Sequence, residues 1–293
     1  MNAKAALLPH RSVLEVAGDD RVSFLQGLVT NDVESLAEGE ARFAGLLSPQ
    51  GKILFDFFIV SVGDTFLIDC PTECSADLAK RLTLYRLRAK VTIADVSDRW
   101  RVGAAWGDGA ADWAEASAAV AYPDPRLPAL GVRLLIRLPD QPKFSASLAD
   151  YEANRVALAV PEGGKDYVYG DAFPHEACFD LLHGVSFKKG CFVGQEVVSR
   201  MQHRGTARTR VLALSAKQPL PQGGADILVD GFSVGRLSSV AGVQGIALAR
   251  VDRVKEALAK GQIFTAGGMP VELVAPAWAT YSLDCEPAAG ATH

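Results

Sequence analysis

Apolar positions fall into two rhythms along the chain. Lys52 leads into an apolar stretch, Ile53 to Val62, interrupted by Asp56; Gly63-Asp64 then reverses the chain, and Thr65 to Asp69 returns it, so a β-hairpin in an antiparallel sheet is predicted. Val13 to Val16 predicts a strand before it. Asp19 or Asp20 then caps a helix whose Val22, Leu25, Leu28 and Val29 share one face and which ends at Thr30-Asn31-Asp32. From Thr72 to Arg88, Leu78, Leu82 and Tyr85 recur at helical spacing, and strands follow at Val91 to Val96 and Arg101 to Trp106.

The middle of the chain opens with Tyr122-Pro123-Asp124-Pro125-Arg126-Leu127-Pro128, a rigid connector, before a strand over Gly131 to Leu138 and a helical pattern from Ser147 to Leu158. After Pro161 a segment rich in glycine and tyrosine reaches His175. Val197, Val198 and Met201 place a helix start near Gly194. Beyond Gly205 the pattern turns to short β runs, Thr209 to Leu214, Phe232 to Val240 and Gly245 to Val251, which predict a C-terminal β-barrel or sandwich. A length of 293 residues calls for more than one domain, and the boundary is expected between residues 205 and 206.

Composition narrows the function. A net charge of -4 argues against direct binding of nucleic acid, which favours a basic domain. Met1 to Arg11 lacks the long apolar core of a secretory signal, and no apolar run approaches the ~20 residues of a membrane span. A soluble cytoplasmic protein, monomeric and without membrane contact, is expected. Five scattered cysteines, Cys70, Cys74, Cys178, Cys191 and Cys285, fit reduced thiols better than a disulfide framework.

Spacing removes several chemistries. His175-Glu176 lacks a second histidine four residues on, where Phe179 stands, so a zinc-protease helix is excluded. Cys70 and Cys74 have no second pair at metal-site spacing, and neither phosphate-binding nor dinucleotide-binding glycine motif occurs. No metal site is expected. Two stretches are strongly basic: seven cations against two acids from Lys80 to Arg101, and six against Glu196 alone from Ser186 to Arg210. Facing one another, they would make a positive pocket for an anionic ligand; otherwise each is a solvated face.

The densest chemistry lies in Lys189-Gly190-Cys191-Phe192-Val193-Gly194-Gln195-Glu196, where glycines can hold a thiol at the surface. A helix starting near Gly194 places Cys191 at its positive end beside Lys188 and Lys189, conditions that favour thiolate. Gln195 and Glu196 fall in the first turn. A buried small hydrophobe is the ordinary alternative for such a cysteine.

This octapeptide resembles the KGC[FY]xGQE signature of the YgfZ-type folate-binding proteins, a family that takes in mitochondrial iron-sulfur assembly factors and is related to the glycine-cleavage T-protein. The resemblance extends over Gly18, Phe24-Leu25-Gln26-Gly27, Thr30-Asn31-Asp32-Val33, Leu47-Ser48-Pro49-Gln50-Gly51-Lys52 and Leu84-Tyr85-Arg86-Leu87-Arg88, covering nearly the whole chain. It implies an α+β, T-protein-like fold: two interwoven N-terminal subdomains and a C-terminal β-barrel around a central cleft sized for tetrahydrofolate, polyglutamylated or not. It also implies maturation or repair of iron-sulfur proteins, with Cys191 as the functional thiol, cluster contact without stable binding, a link to tRNA modification, and iron-sulfur client or assembly proteins as partners.

On the same resemblance Tyr151, Arg155, Lys188 and Arg204 would hold the folate, with Arg11 standing where a second aromatic residue is expected. The T-protein pattern further implies a carboxylate where this chain has Ala157, which disfavours aminomethyl transfer. A folate-dependent one-carbon transferase is the alternative, and a cysteine hydrolase built from Cys191, Glu196 and Lys189 a third reading.

Overall fold

A computed structural model describes residues 3–140, 142–205 and 207–284. In chain order the first elements are β1 (Lys4–Leu7), β2 (Arg11–Ala17), α1 (Arg21–Gln26), β3 (Ala41–Leu47), β4 (Ile53–Val62), β5 (Thr65–Pro71), α2 (Thr72–Arg86) and β6 (Thr92–Asp95). Next come β7 (Trp100–Trp106), α3 (Ala110–Ser117), β8 (Val120–Pro123), β9 (Val132–Arg137), α4 (Leu148–Ala157) and α5 (Gln195–Arg204). The last are β10 (Thr209–Ser215), β11 (Asp226–Val229), β12 (Phe232–Ala241), β13 (Gln244–Arg250), α6 (Val251–Ala259), β14 (Phe264–Ala266) and β15 (Met269–Val274).

Two antiparallel sheets carry the first half, one ordered β3-β4-β5-β2-β6 and the other β1-β7-β9-β8. Because β1 and β2 follow one another yet enter different sheets, the two subdomains are interwoven. The apolar hairpin is buried on both faces. Phe57 and Ile59 of β4 point to the helices α1 and α2, whereas Phe58 and Val60 point to the core shared by the two sheets. Asp56 falls on that second face, 4% exposed, which is why a single acid stands in an apolar run.

The third region is a closed barrel, β10-β13-β12-β11-β14-β15, sealed where Ala213 pairs with Val274. Its interior is filled by Leu212, Leu214, Ile227, Leu237, Ala247 and Leu273, the inward alternate positions of its strands.

Some elements escape the apolar pattern. Lys4 to Leu7, which show no strand alternation, form β1, which pairs with β7. Tyr122 and Pro123, expected in a connector, form the end of β8 beside β9. Helix α3 packs through Ala110 and Ala114, side chains too small to mark a period.

Candidate functional site

The signature segment is a loop pinned at both sides of its cysteine. Lys189 Nζ donates to the carbonyls of Gln26, Val29 and Asn31 at 2.8, 2.7 and 2.9 Å, closing the C-terminal end of α1. Burial pulls its pKa down to about 8, against the opposing pull of Asp32 and Glu34. Phe192 enters the core, 7% exposed, with Lys189 Nζ 5.3 Å from its ring centre. Between these anchors Gly190 and Cys191 are exposed.

Helix α5 begins at Gln195 and carries Glu196, exposed, in its first turn. Its start is held against the turn between β3 and β4 by two glycines. Gly194 has φ +81°, and a Cβ there would lie 2.7 Å from the Ser48 carbonyl; a Cβ on Gly51 would lie 2.8 Å from Val197 Cβ. Gly190 has no positive φ and nothing within 4 Å of a Cβ, so the expected backbone need for glycine applies to Gly194 and not to it.

A second polar assembly lies between the sheets. Asp69 of β5 accepts from Arg11 Nε at 2.6 Å and from Arg133 Nε of β9 at 3.0 Å, and both oxygens of Asp124 hold Arg126. The hydroxyl of Tyr151 accepts from Arg133 at 3.3 Å and Arg126 at 3.5 Å. All three guanidiniums surround the Phe58 ring, at 4.1 Å for Arg133, 4.9 Å for Arg126 and 5.6 Å for Arg11. Desolvation would raise the pKa of Asp69, but Arg11 and Arg133 outweigh it and hold the carboxyl below its usual range. Asp56 shifts the other way: burial raises its pKa although the Tyr167 hydroxyl donates to it.

The space left inside this assembly is about 10 Å³, lined by His10, Arg11, Asp56, Arg126, Arg133, Tyr151 and Glu162 among others. That is room for roughly one water, where ligand pockets run to ~300 Å³ or more. The enclosed centre is thus smaller than a pteridine. Larger hollows, of about 830 and 620 Å³, lie on the barrel and between the barrel and residues 164–176, and no predicted site residue lines either.

The four residues expected to hold folate do not converge. Tyr151 is 2% exposed and bonded to arginines. Arg155 is fully buried and bonds Glu152, Asp166, Ser239 and the Val160 carbonyl at 2.6 to 2.8 Å, joining α4 to the barrel. Arg11 is a partner of Asp69 and not a clamp on a ligand. Lys188 and Arg204 are exposed and do not line the enclosed centre. The two basic stretches likewise line no common cavity with it. Lys189, committed to three carbonyls, is unavailable as a base for a hydrolase.

Among the described residues, His10, Glu152 and Glu162 bring ligand atoms within 4.8 Å of one another. Lys165, at 2.9 Å from Glu152 and 3.1 Å from Glu162, already neutralises those carboxylates together with Arg155. Asp69, Asp124, Arg126 and Arg133 carry no motif spacing. Asp69 and Arg133 show in the sequence only as a charge inside an apolar strand, at Leu67-Ile68-Asp69-Cys70 and Val132-Arg133-Leu134-Leu135.

Residues 8–129 match the family model of the GCVT N-terminal domain, and residues 208–281 match that of the CAF17 C-terminal beta-barrel domain. The glycine cleavage system aminomethyltransferase T from Bartonella henselae superposes with a TM-score of 0.71 over 92% of this chain and 84% of that one, at 16% identity. The fold is thus that of the GcvT-like proteins with a C-terminal barrel. In sequence, the chain is 33% identical over 303 residues to the mitochondrial iron-sulfur cluster assembly factor IBA57 of Homo sapiens, covering 92% of this chain and 84% of that protein. The homologue of Cryptococcus neoformans is 34% identical over 247 residues, and that of Mycosarcoma maydis 33% over 233. The matches span 65% and 57% of those two proteins, less than two thirds of their length.

The chain belongs to the IBA57 family of iron-sulfur cluster assembly factors. The YgfZ-type label is narrower than these matches specify, and the relatives' names speak of cluster assembly, not tRNA modification. Those relatives are mitochondrial, which overturns the cytoplasmic expectation. No helix among the described residues is long and apolar enough to cross a membrane.

Proposed function

We propose that this protein serves the maturation of iron-sulfur proteins, as its relatives are named for, with Cys191 as the working thiol. The carrying observation is the exposed Gly190-Cys191 tip between two anchors, the half-buried Lys189 and the buried Phe192. The other described cysteines are withdrawn: Cys70 and Cys178 are buried, and Cys74 is half-buried with its pKa pushed up to about 11, chiefly by burial. Cys285 lies outside the described residues.

The chemistry available to this tip is ligand exchange. A cluster is cargo here: the Cys191 sulfur gives up its proton to solvent and bonds one iron of a partner-held cluster, one cysteine thiolate of the partner leaves that iron and takes up a proton from solvent, and the partner's other three cysteines keep their bonds, since clusters are ordinarily held by four cysteines. The rigid loop fixes where the sulfur points, while the bare glycine beside it leaves room for another protein's surface. No step is assigned to folate, because the central residues bind one another and leave no space for a pteridine.

In a strain lacking this protein, Cys191→Ser should fold normally yet fail to restore cluster-dependent enzymes; full restoration would remove the thiol from the function. Titration with tetrahydrofolate under tryptophan fluorescence should give no saturable change. A saturable one, followed by a transformed folate, would favour the one-carbon transferase instead.

A further inference from the structure

We propose that the C-terminal end of α2 and the loop after it form a docking surface for an acidic protein, the donor or recipient of the cluster. This rests on the maturation reading and adds where the partner sits.

Lys80, Arg81, Arg86, Arg88 and Lys90 are all exposed, and none meets a carboxylate at ion-pair distance among the described residues. Five free cations gathered at one place on a chain of net charge -4 repel basic surfaces there and draw acidic ones, which fixes the approach of a partner. Two leucines stand among them. Leu84 is 63% exposed and Leu87 89% exposed.

Leu87 is the more telling of the two. It is the residue after the helix, with φ 45° and ψ -103°, a backbone state that glycine enters without steric cost and a leucine does not. A leucine held there gains nothing from packing inside this chain, because its side chain is in solvent. Its value lies in a contact made with something else, and a lone apolar knob ringed by cations fits a shallow apolar pocket in an acidic face.

The position also suits transfer at Cys191. Lys90 grips the start of α1, its N–H donating to Asp20 Oδ2 at 2.7 Å, whereas Lys189 grips the end of the same helix. With six residues, α1 is about 9 Å long. An ordinary protein footprint of about 800 Å², roughly 30 Å across, spans both. A partner seated on Leu87 is thus about one short helix away from the Lys189 anchor of the thiol loop.

The test uses the full chain and three probes: a fluorescent amphipathic peptide with glutamates flanking a leucine face, a duplex RNA, and phosphatidylserine vesicles. The peptide should bind, more weakly as salt rises, and about tenfold less well to Arg86→Glu/Arg88→Glu and to Leu84→Ser/Leu87→Ser. Tighter binding of RNA or vesicles than of the peptide, or peptide binding that the substitutions leave unchanged, overturns the proposal. Leu87→Gly relieves the backbone, so it should melt no lower than the parent and still lose the peptide; retained affinity sinks the role of Leu87. In the deletion strain the charge-reversed protein should fail to restore cluster enzymes while Cys191 is alkylated at the parental rate. Full restoration would refute the docking surface and leave the thiol reading standing, whereas rescue by Cys191→Ser would do the reverse.

Discussion

Lys189 and Lys188 are neighbours with unrelated tasks. The first donates to three backbone carbonyls and the second is in solvent. Lys189→Met leaves those carbonyls without their charged donor, so a loss of about 2–3 kcal/mol is expected in denaturant unfolding, against less than about 0.5 kcal/mol for Lys188→Met. Equal effects would mean that the anchor is dispensable. The cysteines differ as sharply. Burial pushes the Cys70 thiol up to about 12 and raises Cys178, whereas Cys191 is open to reagent. A maleimide at neutral pH should label Cys191 in the native protein and reach Cys70 and Cys178 only on unfolding, as read by peptide mass mapping.

Elements meet at two joints. At the first, α5 is seated on the turn between β3 and β4 by Gly51 and Gly194; Gly194→Ala places a methyl 2.7 Å from the Ser48 carbonyl in a backbone state alanine resists. A loss of more than about 1 kcal/mol is expected, together with faster hydrogen exchange in α5. At the second, Arg155 ties α4 to Ser239 of β12 and to Asp166, whose other oxygen accepts from Ser238. Arg155→Met strands buried carboxylates and should cost about 3–5 kcal/mol. If the melting temperature hardly moved, the joint would not be what holds the barrel. The periods of the chain revealed the helices and strands on either side, yet not these joints: Arg155 looks like any helical arginine until Asp166 and Ser239 close around it.

For the molecule as a whole, the buried charges set the response to acid. The carboxyls of Asp69 and Glu162 titrate below their usual range: burial opposes this, but Arg11 and Arg133 outweigh it for Asp69, as do His10 and Arg155 for Glu162. Such groups bind protons more readily unfolded, so their stabilisation is complete above about pH 5 and is lost as pH falls below about pH 4. Urea midpoints should be flat above that range and drop steeply beneath it, with Asp69→Asn less stable at neutral pH and less sensitive to acid. The sequence alone determined the strand and helix periods, the all-β character of the C-terminal region and the Lys189-to-Glu196 motif, because each is written in neighbouring residues, whereas closure into a barrel rather than a sandwich rests on the pairing of β10 with β15. Only the tertiary structure decided that charged side chains fill the centre between the sheets, since Asp69 and Arg133 stand 64 positions apart and meet only when two sheets are laid face to face. It likewise decided which of two adjacent lysines is an anchor, and that Cys191 is left outside between its two holds.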